Sequence, residues 1–242
     1  MTTPISEALL FDIMYTCRAM RRLRPDPIPE ELLLQLVDAA LHGPSGSNAQ
    51  NWRFLIVRDG EQKRKMQALW RRTWSFYQNT LAKAELRPNE KPEDRLKGAS
   101  IGTYMVEHIH ETPALICVCV AKDDALAKVL ASPATLREAV RSFGVGGAIR
   151  LAVGGARMRG LVDGSTAYPA VQNLLLAARA LGLGAVLTTP QFFVPGEFEA
   201  VLGIPSTVTL AAVIPVGYPL GKFGPVNRPD PRRVVSWDRY SS

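Results

Sequence analysis

From Ile5 to Thr16 the apolar residues Ile5, Leu9, Leu10, Ile13 and Met14 recur every three or four positions, so the chain opens on an amphipathic helix. Pro25, Pro27 and Pro29 then force an extended connection, and Glu30 to His42 again carries helical spacing up to the breaker Gly43-Pro44. Trp52 to Val57 reads as a strand. Glu61 to His110 is rich in Lys, Arg, Glu and Gln with spaced Trp, Leu and Tyr; broken by Pro88 and Pro92, it predicts two long helices. The apolar run Ala114 to Ala121 has the length of a strand.

Lys122 to Thr166 is the least periodic stretch and holds Gly144, Gly146, Gly147, Gly154, Gly155, Gly160 and Gly164. It reads as an excursion: a mobile lid, a partner-contacting segment or a plain surface insertion. Tyr168 to Leu181 predicts a buried helix, charged only at Arg179, that would suit a dimer core. A strand over Gly184 to Thr189, a short helix over Glu197 to Leu202 and a strand over Val208 to Val216 follow. The tail Pro219 to Ser242 has four prolines and no helical pattern, so it needs another surface to order it. The elements add up to an α+β fold, a mixed sheet flanked by helices. We expect one domain over 1–242, with a helical insertion at about 61–110, a Gly-rich excursion at about 122–166 and a C-terminal arm at about 219–242.

With 242 residues, 47% of them hydrophobic, the chain can bury a sizeable core. No apolar run reaches the length of a membrane span and the N-terminus lacks a signal pattern, so the expected location is cytoplasmic. Three cysteines agree: Cys117 and Cys119 alternate with valine and share one strand face, far in sequence from Cys17. Free thiols are expected. The net charge of +7 would suit a nucleic-acid partner, but the cations are spread among Glu and Asp through helical segments without aromatic stacking motifs. Arg71-Arg72 and Arg232-Arg233 read as solvated faces.

Two clusters carry the chemistry. Arg18-Ala-Met-Arg-Arg22 offers cationic forks for a phosphate, and Pro44-Ser-Gly-Ser-Asn-Ala-Gln-Asn-Trp52 offers a tight turn whose backbone can approach a ring closely. Together with Tyr168 to Gly184, Thr188-Thr-Pro190, and a tail containing Gly217-Tyr-Pro219, Arg228 and Val234-Val-Ser-Trp-Asp238, they resemble the FMN-dependent nitroreductase family in the family's order. The resemblance covers nearly the whole chain. It implies a three-layer α/β/α sandwich with a mainly antiparallel sheet, FMN at the interface of a homodimer, and a C-terminal arm wrapping the partner subunit.

The resemblance also implies roles. Arg18 and Arg22 would lie nearest the FMN phosphate, with Arg21 assisting, the backbone of Ala19 and Met20 lining the site, and Arg228 reaching in from the tail. Pro44, Ser45, Gly46 and Asn48 would contact the ring and ribityl chain across the interface, with Gln50 joining them or packing there. Thr188 and Thr189 would donate toward the N5 edge of the flavin. NADH or NADPH would reduce FMN and leave before a small aromatic acceptor, a nitroaromatic or quinone, stacks on the same face, giving ping-pong kinetics with no side-chain acid or base. Cys17, Ala19 and Asn51 depart from the family pattern, and the first two lower the expected number of phosphate contacts.

Other readings stay open. Arg21, Arg22 and Arg24 could be surface charges, Asn48 and Gln50 local caps, and Trp52 is read as core. Trp70, Trp74, Phe76 and Tyr77 either line a substrate pocket or form helix core. His108 and His110 lie about 200° apart on a helix and do not make a metal pair. Gly144-Val-Gly-Gly147 follows a helical pattern and is no dinucleotide fingerprint. The Pro-Ser-Gly turn also resembles relatives that dehalogenate iodotyrosine or fragment reduced flavin with oxygen. The deiodinase branch grips a zwitterionic amino acid with a lid Glu, Tyr and Lys, and Val106 stands where that Lys is expected. A non-catalytic FMN-storage protein is the alternative of another class.

Overall fold

The computed structural model describes residues 7–86, 90–122, 128–129 and 132–240. Its centre is β2 (Ala114–Ala121), paired antiparallel with β1 (Trp52–Val57) on one side and β4 (Val208–Gly217) on the other. A two-residue β3 (Gly184–Ala185) adds to the free edge of β4, giving the order β1-β2-β4-β3. Every pairing among the described residues is antiparallel.

Alternation along β2 divides the core into two layers. Ala114, Ile116 and Val118 pack with Leu33 and Leu36 of α2 (Glu30–Leu41) and with Val171 and Leu174 of α5 (Pro133–Ala180). Leu115, Cys117 and Cys119 pack on the opposite face with Met66 and Trp70 of α3 (Gly60–Asn79), Met105 and Val106 of α4 (Pro92–His108), and Phe198 of α6 (Glu197–Leu202). This is the expected α/β/α sandwich. Trp52 joins the first layer, donating from Nε1 to the Thr166 carbonyl at 2.9 Å.

Local chemistry sets the helix limits. Asp59 Oδ1 accepts from the Gln62 amide at 2.7 Å and caps α3, whose buried Lys63, Met66, Gln67, Trp70 and Thr73 recur at helical spacing. Three of these are polar and satisfied: Lys63 Nζ donates to the Thr112 carbonyl (2.7 Å), Gln67 Nε2 donates to the carbonyls of Val106 and Glu107 (2.9 and 2.6 Å), and Thr73 Oγ1 donates to the Trp70 carbonyl (2.9 Å). Burial lowers the Lys63 pKa, opposed in part by the charge of Asp59. The first helix, α1 (Glu7–Thr16), starts at a residue where description begins, so the expected start at Ile5 lies outside the described residues.

The Gly-rich stretch departs most from expectation. From Pro133 onward it is helical in two pieces that meet at the non-helical Gly144 (φ +69°, ψ 170°), and the second runs on through the segment expected to begin at Tyr168. Ser132 caps its start and Pro133 occupies the first turn. Each glycine inside a helix costs about 1 kcal/mol against alanine, and the packing of Ala167, Ala170, Val171 and Leu174 in the core supports the second piece. Residues 123–127, 130 and 131 of the expected excursion lie outside the described residues. The apolar face around Val171 and Leu174, expected in a dimer core, is spent inside the chain on α2 and the sheet. The expected strand over Gly184 to Thr189 shortens to β3 plus one bridge between Thr188 and Val213. Among the described residues no helix is long and apolar enough to cross a membrane.

Candidate functional site

The segment after α1 lies along the edge of the sheet. The Met20 amide donates to the Ala185 carbonyl (3.0 Å), the Arg24 amide to Tyr218 (2.8 Å), and the Leu220 amide to Arg22 (3.0 Å). Two glycines make room for this: a Cβ on Gly184 would stand 2.7 Å from Leu23 Cδ2, and one on Gly217 would stand 3.0 Å from Leu23 Cβ. With Leu23 held inward and the Val226 amide bonded to the Tyr15 carbonyl (3.1 Å), the arginine cluster and the tail face each other.

Between them opens a cleft of about 470 Å³ lined by Cys17, Arg18, Ala19, Arg21, Asn227 and Arg228, together with Pro225 and Val226. Among the described residues no carboxylate lines it. Among the described residues Arg18 and Arg21 make no ion pair, and Arg228 is engaged only by its neighbour, donating to the Asn227 carbonyl at 2.8 Å. Arg21 is exposed as a whole residue, yet burial of its guanidinium lowers its pKa, with no carboxylate countering the shift. Three uncompensated guanidinium groups around one cavity fit a phosphate. The Cys17 thiol donates to the Leu175 carbonyl (3.6 Å), and its pKa is raised by burial, opposed by the charge of Arg179.

Several expected roles change. Arg22 turns away from this cleft and stacks its guanidinium 4.9 Å from the Tyr104 ring centroid, so Arg21 takes the place by the cleft expected for Arg22. Met20 is buried and its amide is used on Ala185, leaving only Ala19 of the pair to line the cleft. The sequence signal was present but undirected, because adjacent residues on an irregular edge have no fixed period.

A second cleft, of about 480 Å³, adjoins the first, and Arg21 lines both. Its walls include Trp70, Trp74, Tyr77, Met105, Thr189 and Phe193. The Trp74 and Tyr77 rings stack (centroids 5.2 Å apart, 12° between planes), and Trp74 Nε1 donates to Thr103 Oγ1 at 3.0 Å. Trp74 also lies against Gly102, where a Cβ would meet Cη2 at 2.3 Å. Trp70, Trp74 and Tyr77 therefore line the cleft, while Phe76 packs against Phe193 (5.8 Å). Thr188 and Thr189 both border it, but the Thr188 amide and hydroxyl are committed to the Val213 carbonyl. That leaves Thr189 to offer a donor.

The Pro44 turn lines neither cleft of the single chain. Gly46 to Asn48 form a single 3₁₀ turn with left-handed Ser47, Asn48 and Gln50 (φ 51°, 52° and 48°). Ser45 Oγ accepts from the Gln50 amide (3.1 Å), Gln50 Nε2 donates to Asn48 Oδ1 (3.0 Å), and the Gly46 amide donates to Thr166 Oγ1 (3.3 Å). The Asn48 and Gln50 side chains thus bond to each other, and the local backbone cap is supplied by Ser45. Asn51, in place of the family's proline, ties the sheet: Nδ2 donates to the Ala121 carbonyl at 2.7 Å.

Sequence reasoning missed Cys17, Pro225, Val226 and Asn227 as cleft residues, and also Glu90 and Arg95 of the second cleft. None carries a motif. Val106 is not at a lid: it is buried beneath β2, where a lysine would place an unpaired ammonium. His108 pairs with Glu111 at 3.1 Å, and among the described residues no group of three or more His, Cys, Asp or Glu could hold a metal ion.

The chain is 30% identical over 223 residues, 91% of each protein, to a protein named NADH dehydrogenase from Thermus thermophilus. It is 29% identical to the iodotyrosine deiodinase of Thermotoga neapolitana, covering 87% of this chain and 89% of that one. A crystal structure of oxidised iodotyrosine deiodinase bound to FMN and 3-iodo-L-tyrosine superposes with a TM-score of 0.62 at 25% identity, over 96% of this chain and all of that one. The family model described as Nitroreductase family matches residues 16–218, a span that holds the Arg18 cluster, the Pro44 turn and Thr189, and the chain belongs to that family.

Proposed function

We propose that the protein is an FMN-dependent oxidoreductase that takes electrons from NADH or NADPH and passes them to a nitroaromatic or quinone. The observation that carries the reading is the joining of two clefts at Arg21, one ringed by uncompensated guanidinium groups and the other by aromatic rings. Arg18, Arg21 and Arg228 would hold the phosphate, each charge-assisted bond contributing about 1.5–3 kcal/mol. When bound, FMN would supply hydride and single-electron transfer. Trp74, Tyr77 and Phe193 would orient a flat acceptor and exclude water, and Thr189 would donate at the edge of the ring. Nicotinamide and acceptor share one cleft, hence ping-pong kinetics.

The working unit is a homodimer over the whole of 1–242. Phe143, Ile149, Val153 and Leu161 expose an apolar face on α5, and Trp237 and Tyr240 are more than 80% exposed on the arm. Both features support a partner copy, as does the Pro44 turn, which would reach the partner's flavin. Free Cys17, Cys117 and Cys119 support a reducing, cytoplasmic setting.

The test is a visible spectrum of the FMN-loaded protein, followed anaerobically by NADH or NADPH and then a nitroarene. Bleaching and its reversal establish the cycle. A flavin band that neither nucleotide bleaches points to storage, and a protein that takes up no flavin sinks the proposal. Reductive deiodination is the second reading, favoured by the deiodinase relatives. Iodide release from 3-iodotyrosine by dithionite-reduced protein would establish it, and aerobic loss of the flavin chromophore with a new small product would instead mark flavin fragmentation.

A further inference from the structure

Arg95 of α4 commits every donor it has to the wall of the second cleft. Nε and Nη2 fork onto Glu90 Oε1 and Oε2 (3.0 and 2.7 Å), Nη1 donates to the carbonyls of Ala82 (3.2 Å) and Ala84, and Nη2 also donates to the Glu85 carbonyl (3.1 Å). A guanidinium carries five N–H groups, and all five are used. The acceptors Ala82, Ala84, Glu85 and Glu90 are themselves lining residues of the cleft, so one side chain gathers both ends of the α3–α4 connection. The Arg95 and Glu90 side chains are only 23% and 25% exposed, unlike the open surface pairs elsewhere, such as Arg141 with Glu138 at 80% and 57%.

We propose that Arg95 is a positioning residue that holds Leu81 to Glu85 and Glu90 as a finished wall of the acceptor cleft, so that the acceptor enters a preformed aromatic slot. The assignment of that cleft to the acceptor rests on the function proposed above; the bracing itself does not. Removing the brace frees Leu81 to Glu85 from the slot and leaves the phosphate cleft, which shares with it only Arg21, untouched. A second consequence concerns orientation. With Arg95 spent, the guanidinium that lines the slot without an internal acceptor is Arg21, and the polar group of the acceptor turns toward it.

Trypsin reads the wall directly. Arg87 and Lys91 each precede proline and resist cleavage, so the Lys83–Ala84 bond reports on the braced connection. Arg95→Met should be cut there about tenfold faster than the parent, with or without FMN, because cleavage follows the population of the opened segment. Arg95→Lys keeps the charge but cannot span five acceptors and should behave like Arg95→Met. In the FMN-loaded protein both should raise KM for a nitroarene about tenfold while changing kcat and FMN affinity less than about twofold. Cleavage at the parent rate in both variants overturns the proposal, and faster cleavage with unchanged KM overturns the link to the acceptor. Should Arg95→Met be cut throughout the molecule, Arg95→Lys and Glu90→Gln decide on the same bond. A protein that binds no flavin sinks the proposed function, while the proteolysis still decides whether Arg95 braces the wall.

Discussion

The guanidinium of Arg22 lies 4.9 Å from the ring centroid of Tyr104, while its neighbour Arg21 enters both clefts. Two adjacent arginines therefore do different work. Arg18→Ala, Arg21→Ala and Arg228→Ala should each weaken FMN binding about 10- to 100-fold, from about 1.5–3 kcal/mol per charge-assisted bond. Arg22→Ala should change it less than about threefold and cost about 0.5–1 kcal/mol of stability through the lost ring contact. Titration of the apoprotein by flavin fluorescence separates the two classes, and equal losses at Arg21 and Arg22 would contradict the assignment.

Gly184 lets the arginine segment lie on the sheet edge. Gly184→Val should drive side-chain atoms into Leu23 and Met20 and destabilise the fold by about 1–3 kcal/mol. It should also reduce FMN content, though no cofactor contact is removed. Thermal denaturation of the apoprotein gives the first effect and the ratio of visible to ultraviolet absorbance gives the second.

Gly102 performs the same service for the second, aromatic cleft. A methyl group there would sit 2.3 Å from Trp74 Cη2, so Gly102→Ala should displace the indole and break its bond to Thr103. We expect a severalfold rise in KM for bulky aromatic acceptors with normal FMN content. Steady-state kinetics against a small and a large nitroarene, with the flavin spectrum as control, measures both.

The cysteines predict both labelling and a pH dependence. Burial pushes the Cys119 thiol up from its ordinary 9.0 to about 11 and raises Cys117 further. At about pH 8 an alkylating reagent should modify Cys17 alone, and FMN should slow it, because Cys17 lines the phosphate cleft. In the unfolded chain thiols ionise near 9.0 while the buried pair stays protonated, so the folded state holds more protons above that pH. Their contribution to stability is complete below about pH 9 and is lost as pH rises through about 11. Urea denaturation midpoints of the parent and Cys119→Ala should converge across that range.

Where the chain announces its own local structure, sequence reading and structure agree closely. Alternation named β2 and the shared face of Cys117 and Cys119, and helical spacing with Pro29 and Gly43 bounded α2 to within a residue. The glycines misled over 133–166: among the described residues only Gly144 leaves helical geometry, and a single glycine costs a helix about 1 kcal/mol without ending it. Over 168–181 the sequence left another point open: Val171 and Leu174 turn to α2 and the sheet, whereas an apolar face states that it will be covered, not by what.

The order of motifs from Arg18 to the tail carried the resemblance to the family, and that resemblance implied the three-layer sandwich that the two core clusters bear out. Only the tertiary structure turned Arg21 into the clefts and Arg22 onto Tyr104, committed the Met20 amide and the Thr188 hydroxyl to the sheet, and built an aromatic slot from residues as far apart as Trp70, Arg95 and Phe193. Those choices depend on which donors the backbone uses first and on where Gly102, Gly184 and Gly217 allow close approach. Both are properties of packing, and no local period encodes them.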